Sequence, residues 1–170
     1  SIGLEMTTLA SGPFNGYPLK YDTGGVTHGS FEWARRPPKA LFEDLRRLGS
    51  NGPENTIVQV NHPRVSTRIM AYFTSIGLDT ETLAVADKPD RWTDGWDTLE
   101  VFNDGCGPGG GNAQALQDWF NLNDLGIEKT LSSGSDSHSE AAGIGTPRAW
   151  IAVSKGAVDA DHDAIIAPFR

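Results

Sequence analysis

Cysteine is almost absent from this chain: Cys106 stands alone, so no intrachain disulfide framework can hold the fold. Basic residues are also short, 14 Lys and Arg against 22 Asp and Glu, which leaves a net charge of −8 and a pI near 4.8. That balance argues against nucleic acid as a partner, because phosphate contacts need clustered Lys and Arg. The most basic stretch, Arg35-Arg36-Pro37-Pro38-Lys39, is short and runs at once into Glu43 and Asp44. It reads as the solvated start of a helix. Long apolar runs are missing as well, and none approaches the roughly 18 residues a membrane span requires.

What is present fits one folded domain. At 170 residues, 38% of them hydrophobic, the chain can bury a core without disulfides or a structural metal. Glycine (20) and proline (10) are plentiful, so turns and loops must be extensive. An acidic surface suits a protein that gathers divalent cations, and equally one that is simply well solvated.

Short apolar or β-branched runs bounded by Gly, Asn and Pro predict strands at 2–6, 56–60, 98–102 and 149–153, with a shorter one at 129–132. Helical spacing of apolar residues predicts helices at 38–48, 67–76, 112–125 and 161–169. Strand followed by helix, repeated, predicts an α/β fold with a parallel sheet. Two stretches lack periodicity and are expected to be long loops, 10–33 and 105–112. The chain opens directly on a strand-like run and closes on a helix-like one. We therefore expect a single partial domain over 1–170, an open half-barrel, since a closed βα barrel needs about seven or eight strands.

Polar groups gather where those strands end. His62 follows the strand at 56–60, Asp136 and His138 follow that at 129–132, and Glu5, Glu100 and Asn103 lie near the ends of theirs. Parallel α/β folds place their sites at that carboxyl edge. Imidazole with carboxylate is a ligand set for Zn, Mn or Fe. Each residue also has a plainer reading. A histidine after a strand is commonly a hydrogen-bonding loop residue, and Asp136 could cap a turn. Asp-x-His sets both side chains on one side of an extended segment. Glu5 within an apolar strand, and Glu100 between Leu99 and Val101, imply carboxylates that need a cation nearby. His28 and His162 read as surface residues. Ser135 and Ser137 beside His138 lack a nucleophile-elbow pattern, Cys106 lacks an activating charge, and Gly107-Pro108-Gly109-Gly110-Gly111 lacks the ending of a phosphate loop. Trp92 and Trp96 suit a core or the lining of a pocket.

Taken in order, Gly3-Leu4-Glu5-Met6-Thr7-Thr8, Phe14-Asn15, Asn61-His62-Pro63-Arg64, Glu100-Val101-Phe102-Asn103, Gly134-Ser135-Asp136-Ser137-His138 and Gly145-Thr146-Pro147-Arg148 form a series. The series resembles the PHP (polymerase and histidinol phosphatase) metallohydrolases, in particular the branch that includes carbaryl hydrolase. The resemblance implies a distorted (β/α)7 barrel with divalent metals at its carboxyl end. It also implies hydrolysis of a small phosphoester, amide or carbamate. On it, Glu5, His62, Asp136 and His138 would be metal ligands. Arg64, Glu100, Asn103 and Arg148 would support the site or contact substrate.

Two departures stand out. The family's His-x-His pair and a further Asp-His motif precede the position of Glu5 and have no counterpart here. Pro13 also stands where the family carries a histidine. The expectation is then an incomplete hydrolase that binds Zn, Mn or Fe weakly or not at all. One alternative is a non-catalytic module that kept the fold. Another is a metal-free domain in which Glu5 and Glu100 pair with Arg64 and Arg148. The apolar edges of a half-barrel would favour self-association.

Overall fold

Polar and apolar residues alternate along five strands, and the alternation gives the sheet two unlike faces. The computed structural model describes residues 2–24, 31–64, 71–103, 111–141, 143–152 and 166–169. Its strands are β1 (Ile2–Thr8), β2 (Gly12–Leu19), β3 (Ile57–Val60), β4 (Thr98–Asn103) and β5 (Thr130–Gly134). They lie side by side in chain order, with β1 and β5 at the edges of an open sheet. The pairs β1–β2 and β2–β3 are antiparallel, whereas β3–β4 and β4–β5 are parallel.

On one face, Met6, Phe14, Val60 and Leu99 follow one another across four strands. All are buried. Three helices cover this row: α1 (Pro38–Arg47), α2 (Tyr72–Ile76) and α3 (Gly111–Asp124). They add Leu41, Phe42, Leu45, Tyr72, Phe73, Ile76, Ala115 and Leu122 to a single core. Phe14 is its pivot, with the Phe42 ring edge-on at 5.0 Å and the Tyr72 ring at 5.2 Å. Burying one such aromatic contributes about 1.5–3 kcal/mol.

The other face is polar. Its corresponding row runs Glu5, Asn15, Gln59, Thr98 and Thr130. The helices therefore leave a polar sheet surface whose carboxyl edge, above β3, β4 and β5, carries the candidate chemistry.

The helix ends follow from local chemistry. α1 opens on Pro38, which fits a first-turn position whose N–H has no partner, and closes on Arg46 and Arg47, which suit the negative end of the helix dipole. Arg46 also reaches the sheet, donating to both Asp97 oxygens at 3.0 Å and to the Thr56 carbonyl at 2.8 Å. The Val58 N–H donates to the same Asp97 at 2.7 Å, so one carboxylate ties α1 to the amino ends of β3 and β4.

Several expectations are corrected. The expected loop at 10–33 contains β2, and β2 makes the sheet mixed instead of parallel. Residues 149–152 form no strand; they are irregular and mostly exposed, and no strand among the described residues pairs with them. Residues 111 and 112, expected in a loop, begin α3. Only 166–169 of the expected final helix are described, with a short 3-10 turn at Ala167–Phe169. His28, Cys106, Gly107 to Gly110, Val153 and His162 lie outside the described residues, as do 67–70 of the second predicted helix.

Candidate functional site at the carboxyl edge of the sheet

His62 leaves β3 on a backbone that is not relaxed. Its φ is +22°, in the region that side chains other than glycine seldom adopt. Glu100 stabilises the bend: Glu100 Oε2 accepts the His62 backbone N–H at 2.9 Å and the Asn103 side-chain amide at 3.2 Å. Asn103 is fixed in turn by Asn112 at the start of α3, which accepts its N–H and donates to its carbonyl, both at 3.0 Å. One carboxylate thus joins the ends of β3 and β4.

Glu100 is only 5% exposed. Burial pushes its carboxyl from an ordinary 4.5 up to about 7, against the lowering pull of the His62 N–H and the Asn103 amide, with the charges of Asp136 and Glu5 adding to the rise. On its other side stands Gly134. A Cβ there would lie 2.6 Å from Glu100 Oε1, closer than real contacts allow, so a side chain at this position of β5 would push the Glu100 carboxylate aside.

Asp136 also has left-handed backbone, with φ of +47°. Its two oxygens face two imidazoles. His138 Nε2 lies 2.9 Å from Oδ1, and His62 Nε2 lies 3.9 Å from Oδ2. His62 Nδ1 is buried without a hydrogen-bond partner, while His138 is largely exposed. The predicted Asp-x-His proximity holds, though not from an extended segment: the turn at Asp136 brings the two side chains together.

Glu5 corrects the expectation of a buried carboxylate. It sits exposed on the edge strand β1, where Asn61 Nδ2 donates to its Oε2 at 3.2 Å and Thr7 Oγ1 to its Oε1 at 3.4 Å. Asn61 is the link between Glu5 and the His62 loop. As ligands, these residues fit a divalent cation by chemical type, and the two imidazoles face Asp136. Among the described residues no three His, Cys, Asp or Glu side chains close on a common point as placed, so holding a cation would require these side chains to turn toward one another.

Comparison with protein families, with curated proteins and with solved structures finds no counterpart for this chain.

The two arginines are placed elsewhere. Arg64 makes a two-pronged ion pair with buried Asp118 on α3, at 2.7 and 3.1 Å, donates to the Leu78 carbonyl at 2.7 Å and lies over the Phe73 ring. It anchors the segment that carries His62 without reaching the carboxylates. Arg148 is exposed and donates to the Gly145 carbonyl at 2.7 Å. The metal-free reading in which these arginines neutralise Glu5 and Glu100 is thereby corrected.

Sequence reasoning gave no role to Asn15 and Asn61, although both stand in the motif series, and passed over Tyr17 and Gln59; the side chains of all four bridge β2 and β3 beneath Glu5. Their one visible signal was a run of polar residues at alternate positions of two strands. Trp92 and Trp96 belong to the core side, Trp92 stacking on Tyr72 at 6.1 Å and Trp96 lying buried beside Phe73. A cavity of about 320 Å³ at the opposite edge of the sheet is lined by Trp96, Asp97, Asn123, Glu128, Lys129 and Thr130. There the Lys129 ammonium is held by the Asp94 and Trp96 carbonyls, both at 2.6 Å.

Proposed function

We propose that the carboxyl edge of this sheet is a hydrolytic site that takes a divalent cation between His62, Asp136 and His138, with Glu5 as a further ligand. Carrying the reading is the placement of one carboxylate, Asp136, between two imidazoles at the ends of parallel strands, beside a buried carboxyl that titrates near neutrality. When bound, a divalent cation lowers the pKa of water and offsets the charge that develops on a cleaved ester or amide. The chain's own residues supply the rest. Asp136 orients the His138 imidazole and faces that of His62, and Glu100, at about 7, holds or releases a proton in the neutral range while fixing the His62 backbone. Asn103 holds Glu100 in place. The substrate is a small phosphoester, amide or carbamate. The PHP resemblance supports this reading, and within it the open sheet is part of a distorted barrel.

A second reading has its own support. Donors that do not close on one point, and Pro13 where the family carries histidine, favour a PHP-like module without catalysis. Activity separates the two. The full chain loaded with Zn²⁺ or Mn²⁺ is assayed on p-nitrophenyl acetate, p-nitrophenyl phosphate and a p-nitrophenyl carbamate, beside Asp136→Ala. Turnover that disappears in the variant supports the hydrolase. Equal, background-level rates in both chains support the module.

A further inference from the structure

The polar face of the sheet holds a chain of side-chain hydrogen bonds that leads to Glu5. We infer that Tyr17, Gln59 and Asn61 form a one-way relay that sets the orientation of the Glu5 carboxylate, with Asn61 as its positioning residue. The Tyr17 hydroxyl donates to Gln59 Oε1 at 3.0 Å. Gln59 Nε2 donates to Asn61 Oδ1 at 2.9 Å. Asn61 Nδ2 then donates twice, to Glu5 Oε2 at 3.2 Å and to Asn15 Oδ1 at 3.0 Å.

The direction of this relay is fixed from its carboxylate end. A carboxylate accepts hydrogen bonds and does not donate them, so Asn61 must present its nitrogen to Glu5. Its oxygen then faces Gln59, which must present its own nitrogen. The Gln59 oxygen is left for a donor, and the phenol of Tyr17 is that donor. Burial, followed by the charges of Asp97 and Glu100, holds the phenol above its ordinary range, so it keeps its proton. Gln59 and Asn61 are themselves buried, and turning either amide over would set like against like in a place where water does not repair the mismatch. Glu5 needs such a device because β1 is an edge strand and its own side chain is exposed.

The orientation of Glu5 stands on these contacts alone. Its consequence for metal binding rests on the hydrolase reading above, and the test keeps the two apart. The Gln59→Glu variant of the full chain has nearly the same shape but places an acceptor at both ends of that side chain. Asn61 must then turn its nitrogen toward position 59 and its oxygen toward Glu5. We expect the Asn61 side-chain amide resonances and the Glu5 carboxyl carbon resonance to move, with far-UV circular dichroism unchanged. Zinc affinity by calorimetry should fall by about tenfold or more, as for other residues that orient a ligand. Tyr17→Phe, which removes only the terminal donor, leaves the carboxylate to orient both amides, so the Asn61 side-chain amide should stay a single set close to its natural position. Unmoved Asn61 and Glu5 resonances in Gln59→Glu, or two sets of Asn61 signals in Tyr17→Phe, would overturn the relay. Moved resonances with zinc affinity equal to that of the natural chain would overturn the positioning role. A natural chain that binds no zinc removes the metal reading alone, since the resonances still decide the relay.

Discussion

Glu100 makes the stability of this protein depend on pH in an unusual sense. Its carboxyl is raised from 4.5 to about 7 in the folded state, chiefly by burial. A raised carboxyl folds more favourably when protonated, so its contribution is complete below pH 4.5 and is lost as the pH climbs through 7. The gap corresponds to about 3 kcal/mol between the two ends of that window. Glu100→Gln removes the ionisation and keeps the shape. Its carbonyl oxygen can still accept the His62 N–H and the Asn103 amide. Urea unfolding of both chains, metal-free, at intervals from pH 4.5 to 8.5, isolates the effect as the difference between two curves. The variant should gain about 3 kcal/mol on the natural chain across that range. Parallel curves would mean that water or a cation already solvates the Glu100 carboxylate, and the burial argument would fail.

Other expectations follow from the same geometry. Arg64→Met should cost about 3–5 kcal/mol in urea unfolding, because it leaves Asp118 charged and buried, while the Arg64→Met, Asp118→Leu pair should recover most of that loss. Gly134→Ala should cost about 1–3 kcal/mol, since the new methyl meets Glu100 Oε1, and a loss under about 0.5 kcal/mol would show that Glu100 moves aside freely. Phe14→Ala should cost about 3–5 kcal/mol as the shared partner of Phe42 and Tyr72. If the chain hydrolyses esters, the part of its pH–rate profile that turns near pH 7 should be absent in Glu100→Gln.

Elements with a strong period were legible from residue order alone. Strands β1, β3, β4 and β5 and helices α1 and α3 fall within a few residues of their expected bounds. β2 was not legible, because Gly12, Pro13, Gly16 and Pro18 are local breakers. It is a strand because Phe14 is buried among Phe42, Tyr72 and Val60, and because β1 and β3 flank it on both sides. That contest is tertiary, and propensity does not register it. Missing β2 also turned a mixed sheet into an expected parallel one. At the site, the convergence of His62, Glu100, Asn103, Asp136 and His138 on one edge followed from strand ends. The roles of the two arginines did not, because Asp118 lies 54 residues beyond Arg64 in the chain. The amide relay escaped notice because Asn and Gln carry no chemistry until their partners are known.

The central claim is that His62, Asp136 and His138 hold a divalent cation. Metal content of the purified full chain, measured by plasma mass spectrometry after loading with Zn²⁺ and desalting, tests it most directly beside a His62→Ala, His138→Ala double variant. The account predicts near-stoichiometric zinc in the natural chain and none in the variant. Zinc absent from both, or retained equally by both, would contradict it.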